Sequence, residues 1–123
     1  MKKYFLLIIA SATILLGGVF FFSRNSGSST TTPPPITSYE YFWGDGCPHC
    51  ANVEEFMKTW DKKNQTNIQK LEVWYNKENA KLMQERAKAC GIEPSGMGVP
   101  LLVTPEGKCL TGDTSIIELF KSL

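Results

Sequence analysis

Residues 42–50 read Phe-Trp-Gly-Asp-Gly-Cys-Pro-His-Cys and mark a change from one type of secondary structure to another. The aromatic-rich stretch 38–43 is typical of a short strand, which the two glycines stop. From Cys47 onward, apolar residues recur at every third or fourth position, the spacing of an amphipathic helix. Pro48 lies in the first turn, where a helix tolerates proline. The stretch therefore places Cys47 and Cys50 at a strand-to-helix junction.

The rest of the chain continues this alternation of strands and helices. The first part is predicted to contain a strand over 38–43, a helix from residue 47, a strand over 68–75 and a helix from Asn76 to about Cys90, which Gly91 ends. After it we predict a loop over 93–98, a strand over 99–104, a turn over 105–108 and a strand over 109–111. A last helix, capped by Asp113 or Thr114, follows. The order β-α-β-α-β-β-α predicts an α/β domain with a central sheet flanked by helices.

The N-terminal third has a different composition. Lys2 and Lys3 precede an apolar run over 4–22, which is long enough to cross a bilayer as a helix. The run is longer than most signal-peptide cores and ends in bulky residues. It therefore predicts an uncleaved, single-pass anchor with a cytoplasmic N-terminus, and a cleaved signal peptide is the alternative. Residues 23–36, rich in Ser, Thr and Pro, form a predicted linker to a domain over 37–123, outside the cytoplasm at the periplasm or cell surface.

The charge of the predicted domain argues against a nucleic-acid partner. All 12 acidic residues lie within 37–123, with 10 of the 13 basic residues. No basic cluster for nucleic acid is present. Basic residues on the predicted helices alternate with acids, which predicts solvent-exposed helix faces. These basic residues are Lys58, Lys62, Lys63, Lys81, Arg86 and Lys88.

The pair Cys47 and Cys50, separated by two residues, indicates thiol–disulfide chemistry. Unpaired N–H groups and the helix dipole at a helix start favour a thiolate on Cys47, which becomes the nucleophile. Cys50, one turn further on, would resolve the mixed disulfide. A protonated His49 would further favour the thiolate. The alternatives are half of a zinc site, for which a second such pair is missing, and a purely structural disulfide. We expect no metal and no cofactor.

Cys90 and Cys109 are the other two cysteines. In an oxidising compartment an even number of cysteines favours pairing, so one interpretation is a structural disulfide. The alternatives are two buried cysteines that act as small apolar residues, or a second, regulatory redox pair.

The stretch 42–50, followed far downstream by Gly98-Val99-Pro100, resembles the thioredoxin superfamily over most of residues 37–123. The resemblance implies that Pro100 is cis and lies against the active-site cysteines. It also implies that Val99, with Pro48 and Pro100, orients a bound substrate chain. A trans proline that merely opens a strand is the alternative.

Two features depart from the thioredoxin pattern. Thioredoxins carry a buried acid where this chain has Tyr41, so Glu40 or a water would have to substitute for it. Residues 111–114, Thr-Gly-Asp-Thr, are similar to glutaredoxin residues that bind the glutathione carboxylate, although a helix cap explains them equally well.

The aromatic residues Tyr41, Phe42 and Trp43 are interpreted as core, with a peptide-binding surface as the alternative.

The C-P-H-C motif is similar to that of bacterial periplasmic disulfide oxidases, and His49 favours the oxidant direction. Taken together, the residues predict a membrane-anchored, extracytoplasmic thiol–disulfide oxidoreductase, and oxidation and reduction both remain open. Its expected partners are cysteine-containing exported proteins and a membrane redox protein, with glutathione as a further candidate. The alternative is a non-catalytic thioredoxin-like module that binds a metal or a partner protein.

Overall fold

The structure, a computed structural model, describes residues 32–123. Within this part of the chain, four strands and three α-helices follow one another in the predicted order, with 3₁₀ turns at Asp61–Asn64 and Pro94–Gly96. The elements are β1 (Tyr39–Trp43), α1 (Pro48–Thr59), β2 (Ile68–Glu72), α2 (Lys77–Ala89), β3 (Leu101–Val103), β4 (Cys109–Thr111) and α3 (Asp113–Ser122). The predicted α/β class is confirmed for these residues.

The strands form one mixed sheet in the order β2-β1-β3-β4. β1 runs parallel to β2, from Tyr39 opposite Ile68 to Trp43 opposite Glu72. β3 is antiparallel to both β1 and β4. Parallel neighbours need a crossover connection, which α1 provides. β1 is thus an inner strand whose carboxyl end leads directly into the turn before the two cysteines.

Successive side chains of β1 point to opposite faces of the sheet and enter separate hydrophobic clusters. Tyr41 joins the cluster shared with α1 and α3, and Phe42 joins the cluster shared with α2; both are fully buried. The buried members of the first cluster are Tyr41, Val53, Met57, Trp60, Leu102, Ile116 and Phe120. Those of the second are Phe42, Leu71, Met83, Ala87, Leu101 and Val103. Helices therefore cover both faces of the sheet.

β2 is shorter than predicted, because the chain turns at Glu72. The Glu72 carboxylate accepts the backbone N–H groups of Trp74, Tyr75 and Asn76 at 2.8, 2.9 and 3.2 Å. These bonds fold the chain back on itself, as acidic and amide side chains often do in turns. The prediction that the strand reaches Tyr75 is therefore wrong.

The helix boundaries follow the predicted signals with one exception. Asn76 caps α2 by accepting a backbone N–H at 3.1 Å, and Gly91 follows the helix with a φ of 72°. In α3, Gly112 takes the cap position with a φ of 83°, and Asp113 is the first helical residue. The prediction that Asp113 or Thr114 is the cap residue is wrong, since only glycine adopts the backbone conformation at residue 112 readily.

The strand predicted over 99–104 is also shorter in the structure. β3 spans Leu101–Val103, so Val99 and Pro100 belong to the segment before the strand. Thr104 follows it and closes the turn, where its N–H donates to the Lys108 carbonyl at 2.9 Å. Val99 and Pro100 therefore precede the strand, and the Pro100 carbonyl still accepts the Gly112 N–H next to the end of β4.

Arg86 is buried, contrary to the prediction that it lies on a solvent-exposed helix face. Its guanidinium contacts the Glu40 carboxylate through two hydrogen bonds of 2.7 and 2.8 Å. It also donates to the Pro34 carbonyl at 2.7 Å, and Ile36 packs against the α2-side cluster. The burial follows from the i−3 and i+1 neighbours Met83 and Ala87, which place residue 86 at the edge of the apolar face. The last residues of the predicted linker thus contact the domain.

The predicted anchor over 4–22 and the first part of the linker lie outside the described residues. Among residues 32–123, no helix has the length and apolar character needed to cross a membrane.

Candidate active site

Cys47 and Cys50 lie where the chain passes from β1 into α1. Gly46 has a φ of 81°, which residues with a side chain rarely adopt, and the Cys47 N–H donates to the Gly44 carbonyl at 3.1 Å. Cys47 is the cap residue of α1, and its Sγ accepts the Cys50 N–H at 3.2 Å. The sulfur therefore lies at the positive end of the helix dipole, a position that favours negative charge.

The two sulfurs differ in their environment. Cys47 is 7% exposed, whereas Cys50 is 1% exposed. Burial, together with its hydrogen bond to Cys47, raises the pKa of the Cys50 thiol to about 12. At neutral pH Cys50 is therefore a protonated thiol, and Cys47 is the sulfur that another molecule reaches first.

The segment containing Val99 and Pro100 forms the opposite side of the site. The peptide bond between them is cis, as the resemblance implies. Cys47 Sγ lies 3.8 Å from the Val99 carbonyl oxygen, and the Pro100 carbonyl accepts the Gly112 N–H at 3.0 Å. Pro48 is the first residue of α1 and is exposed. The structure thus places Val99 at Cys47, with Pro100 and Pro48 as the chain neighbours of these two residues, and their contact with a substrate stays a prediction.

His49 has a carboxylate partner that the sequence analysis did not identify. Its side chain is 70% exposed, and its Nδ1 lies 3.2 Å from Asp113 Oδ2. Asn52 donates to the same oxygen at 2.5 Å. These two contacts, the Asn52 bond first, lower the pKa of Asp113 to about 2, so its charge faces His49 over the whole physiological range. The pair links the start of α1 to the start of α3 and offsets part of any positive charge on His49.

Tyr41 lies next to Cys50. Its hydroxyl donates to the Cys50 carbonyl at 3.3 Å. Burial is the main cause that raises the pKa of Tyr41 above its usual range, and the nearby Glu54 carboxylate adds to it. Glu40, the suggested substitute, lies on the opposite face of the sheet in its ion pair with Arg86. Glu40 therefore does not reach Cys50, and that suggestion is wrong.

Glu54, which the sequence analysis overlooked, lines a cavity of about 360 Å³ together with Cys47, Cys50 and Trp43. Its Oε2 pairs with Lys70, whose Nζ lies 5.7 Å from the centroid of a Trp43 ring. Its Oε1 is buried, and no group within residues 32–123 donates a hydrogen bond to it. The sequence signal that could have identified Glu54 is its position four residues after Cys50, because this spacing places both residues on one face of a helix.

The loop before the cysteines is held by the turn that follows β2. Glu72 accepts the Asp45 N–H at 3.4 Å, in addition to its bonds within that turn. The Trp74 ring lies against Gly44, where an added Cβ would come within 2.3 Å of it. Trp74 and Tyr75 are 53% and 80% exposed. Trp74 therefore flanks the site, whereas Tyr41 and Phe42 are buried in the core as interpreted from the sequence.

Cys90 and Cys109 are joined by a disulfide, with their Cα atoms 6.1 Å apart. This matches the first of the three interpretations of these residues. Within residues 32–123, no group of three or more His, Cys, Asp or Glu side chains is arranged to hold a metal ion.

Comparisons of the chain with protein-family models, with curated proteins and with solved structures found no match. The geometry around Cys47 and Cys50 is therefore the basis for a proposed function.

Proposed function

We propose that this protein is a membrane-anchored, extracytoplasmic thiol–disulfide oxidoreductase with a thioredoxin-like domain. The observation that carries the proposal is the pairing of two unlike sulfurs three residues apart. Cys47 caps α1 and is the more accessible, whereas Cys50 is a buried, protonated thiol behind it. Exchange through a mixed disulfide needs this difference, because one sulfur must meet the substrate and the other must resolve the adduct.

In the reducing direction, the Cys47 thiolate attacks one sulfur of a substrate disulfide. The substrate S–S bond breaks, a bond forms between Cys47 and the substrate, and the other substrate sulfur leaves as a thiolate that takes up a proton. Cys50 then loses its proton and attacks Cys47 Sγ. The Cys47–Cys50 disulfide forms, and the second substrate sulfur leaves. The substrate gains the two electrons that the protein dithiol loses.

The oxidising direction reverses these steps. A substrate thiolate attacks Cys47 of the Cys47–Cys50 disulfide, and Cys50 leaves and is protonated. A second substrate thiol then displaces Cys47, which leaves as a thiolate at the start of α1. His49 favours this direction, because a positive neighbour stabilises the reduced, thiolate form. Its pairing with Asp113 at 3.2 Å limits the effect.

The thioredoxin-like assignment is supported by the position of the site within the sheet. The cysteines follow an inner strand that is parallel to β2, and a cis Val99–Pro100 bond lies across from them. This chain has Tyr41 where the thioredoxin pattern has an acid, and a different acid, Glu54 of α1, lines the cavity at the cysteines.

The proposed location outside the cytoplasm rests on the apolar run 4–22 and on the second cysteine pair. Stable disulfides such as Cys90–Cys109 are typical of oxidising compartments. The proposed substrates are cysteines of exported proteins, and electrons would pass to or from a membrane redox protein. Glutathione remains a further candidate through residues 111–114.

The proposal is tested by turnover of the full chain in detergent micelles. We expect dithiothreitol-dependent reduction of insulin, oxidation of a reduced dicysteine peptide, or both, and we expect the Cys47→Ser variant to abolish them. If neither rate exceeds that of the Cys47→Ser control, the enzymatic proposal fails and a binding module becomes the better description.

A further inference from the structure

The balance between oxidised and reduced cysteines depends on how strongly a positive charge on His49 stabilises the Cys47 thiolate. A positive neighbour stabilises the thiolate and therefore the reduced form of the pair. His49 lies two residues after Cys47 in the first turn of α1, and its side chain is 70% exposed. A side chain with so few neighbours acts on Cys47 only as far as its other contacts allow.

Asp113 is the residue that holds the His49 ring. Its Oδ2 lies 3.2 Å from His49 Nδ1, although the two residues are 64 positions apart in sequence. Within residues 32–123, no other side chain makes a hydrogen bond to that ring. His49 therefore lies near two groups that carry negative charge, of which Asp113 is one and the Cys47 thiolate is the other.

Neutral donors fix the Asp113 carboxylate in position. Asn52 donates to Oδ2 at 2.5 Å, and the Thr114 N–H donates to Oδ1 at 3.0 Å. The side chain is 19% exposed, and its bonds with Asn52 and His49 lower its pKa to about 2. Asp113 is therefore a permanent anion, whereas Cys47 carries a charge only after reduction.

The backbone next to Asp113 is also part of the site. The Gly112 N–H donates to the Pro100 carbonyl at 3.0 Å, and the adjacent Val99 carbonyl lies 3.8 Å from Cys47 Sγ. Contacts thus connect the start of α3 to Cys47 through the cis-peptide segment. The position of Asp113 relative to Cys47 is therefore set by the backbone as well as by its own side chain.

We propose that Asp113 is a positioning residue that competes with the Cys47 thiolate for the charge of His49 and so lowers the reduction potential of the Cys47–Cys50 pair; this inference rests on the proposed function. In the oxidised protein Cys47 carries no charge, and a protonated His49 pairs with Asp113. In the reduced protein the carboxylate and the thiolate share that charge, so the thiolate gains less than it would from an unpaired imidazolium. Asp113 itself makes no covalent bond and takes up no electron.

Replacement of Asp113 by asparagine removes the negative charge and keeps an oxygen that can accept from Asn52. The full chain in detergent micelles is equilibrated in glutathione buffers at about pH 7, and alkylation with mass spectrometry gives the oxidised fraction of Cys47–Cys50. We expect D113N to shift the equilibrium about threefold towards the reduced pair, since solvent screening keeps exposed charge pairs weak. At about 30 mV per tenfold change, the reduction potential rises by about 14 mV.

A double-mutant comparison tests whether Asp113 acts through His49. In the H49Q background there is no imidazolium to share, so D113N should change the equilibrium by less than about 1.5-fold. D113E keeps the negative charge and should stay closer to wild type than D113N does.

Two further variants complete the experiment. D61N makes the same charge change at an exposed residue beyond the far end of α1, and it should match wild type. D113S also removes the charge and keeps a residue type suited to a helix start, so it serves in place of D113N if that variant does not fold.

The results separate this inference from the proposed function. A wild-type pair that does not equilibrate with glutathione contradicts the proposed function itself. If wild type equilibrates but D113N leaves the equilibrium unchanged, or shifts it towards the disulfide, the role of Asp113 alone is wrong. A D113N shift of equal size in the H49Q background, or an equal shift in D61N, overturns the action through His49.

Discussion

Replacement of Arg86 by methionine is expected to destabilise the domain by about 3–5 kcal/mol, the usual effect of removing one partner from a buried ion pair. The side chains of Arg86 and Glu40 are 7% and 6% exposed. The guanidinium meets both carboxylate oxygens, at 2.7 and 2.8 Å. In R86M the carboxylate stays between β1 and α2 with neither of these donors. The loss therefore reflects a charge left buried rather than the net stabilisation by the pair.

The same reasoning predicts that a second substitution restores stability. In E40M/R86M no charge is left behind, and apolar side chains of similar volume replace buried ion pairs with little loss or with a gain.

Urea unfolding of the purified full chain, followed by circular dichroism, measures these differences. In thermal unfolding of a domain of this size, a change of about 1 kcal/mol in the free energy of unfolding corresponds to a shift of roughly 4–8 °C in Tm. A loss below about 1 kcal/mol in R86M, or a double variant no more stable than R86M, would refute the account of a desolvated pair.

Three further results are expected around the cysteines. Gly44→Ala should lower the free energy of unfolding by about 1–3 kcal/mol, because its Cβ would lie 2.3 Å from the Trp74 ring. When Trp74→Ala is added to the same chain, urea unfolding should show that the loss is recovered. An additive loss would contradict the clash. Iodoacetamide at pH 8 should label Cys47 and spare Cys50, whose pKa is about 12; mass spectrometry showing equal labelling would contradict this. His49→Pro should lower the reduction potential measured in glutathione buffers, and an unchanged potential would exclude electrostatic tuning by His49.

Local signals in the sequence were sufficient for most of the fold. The aromatic run before Gly44, the glycine after α2 and the asparagine before it each correspond to a boundary in the structure, because each acts through its own backbone. β2 was predicted too long because Tyr75 continues an apolar alternation, while the carboxylate of Glu72 turns the chain. The three hydrogen bonds made by this one side chain thus outweighed the pattern.

The candidate site was predictable only where its residues are close in sequence. Cys47, His49 and Cys50 lie within one helical turn, and Pro100 was placed beside them through the resemblance. The contacts of Asp113 with His49 and of Lys70 with Glu54 span 64 and 16 residues. Such contacts depend on how α3 and β2 pack against α1, which hydrophobic periodicity does not specify.

The central claim is tested most directly by trapping the intermediate. The full chain with Cys50→Ala retains Cys47 but has no resolving thiol, so a disulfide-bonded test peptide should accumulate as a covalent adduct. We predict an adduct of one peptide per chain, linked through Cys47, released by dithiothreitol and absent from the Cys47→Ala variant. No adduct with Cys50→Ala, or an equal adduct in both variants, would contradict the assignment of Cys47 as the nucleophile of a thiol–disulfide oxidoreductase.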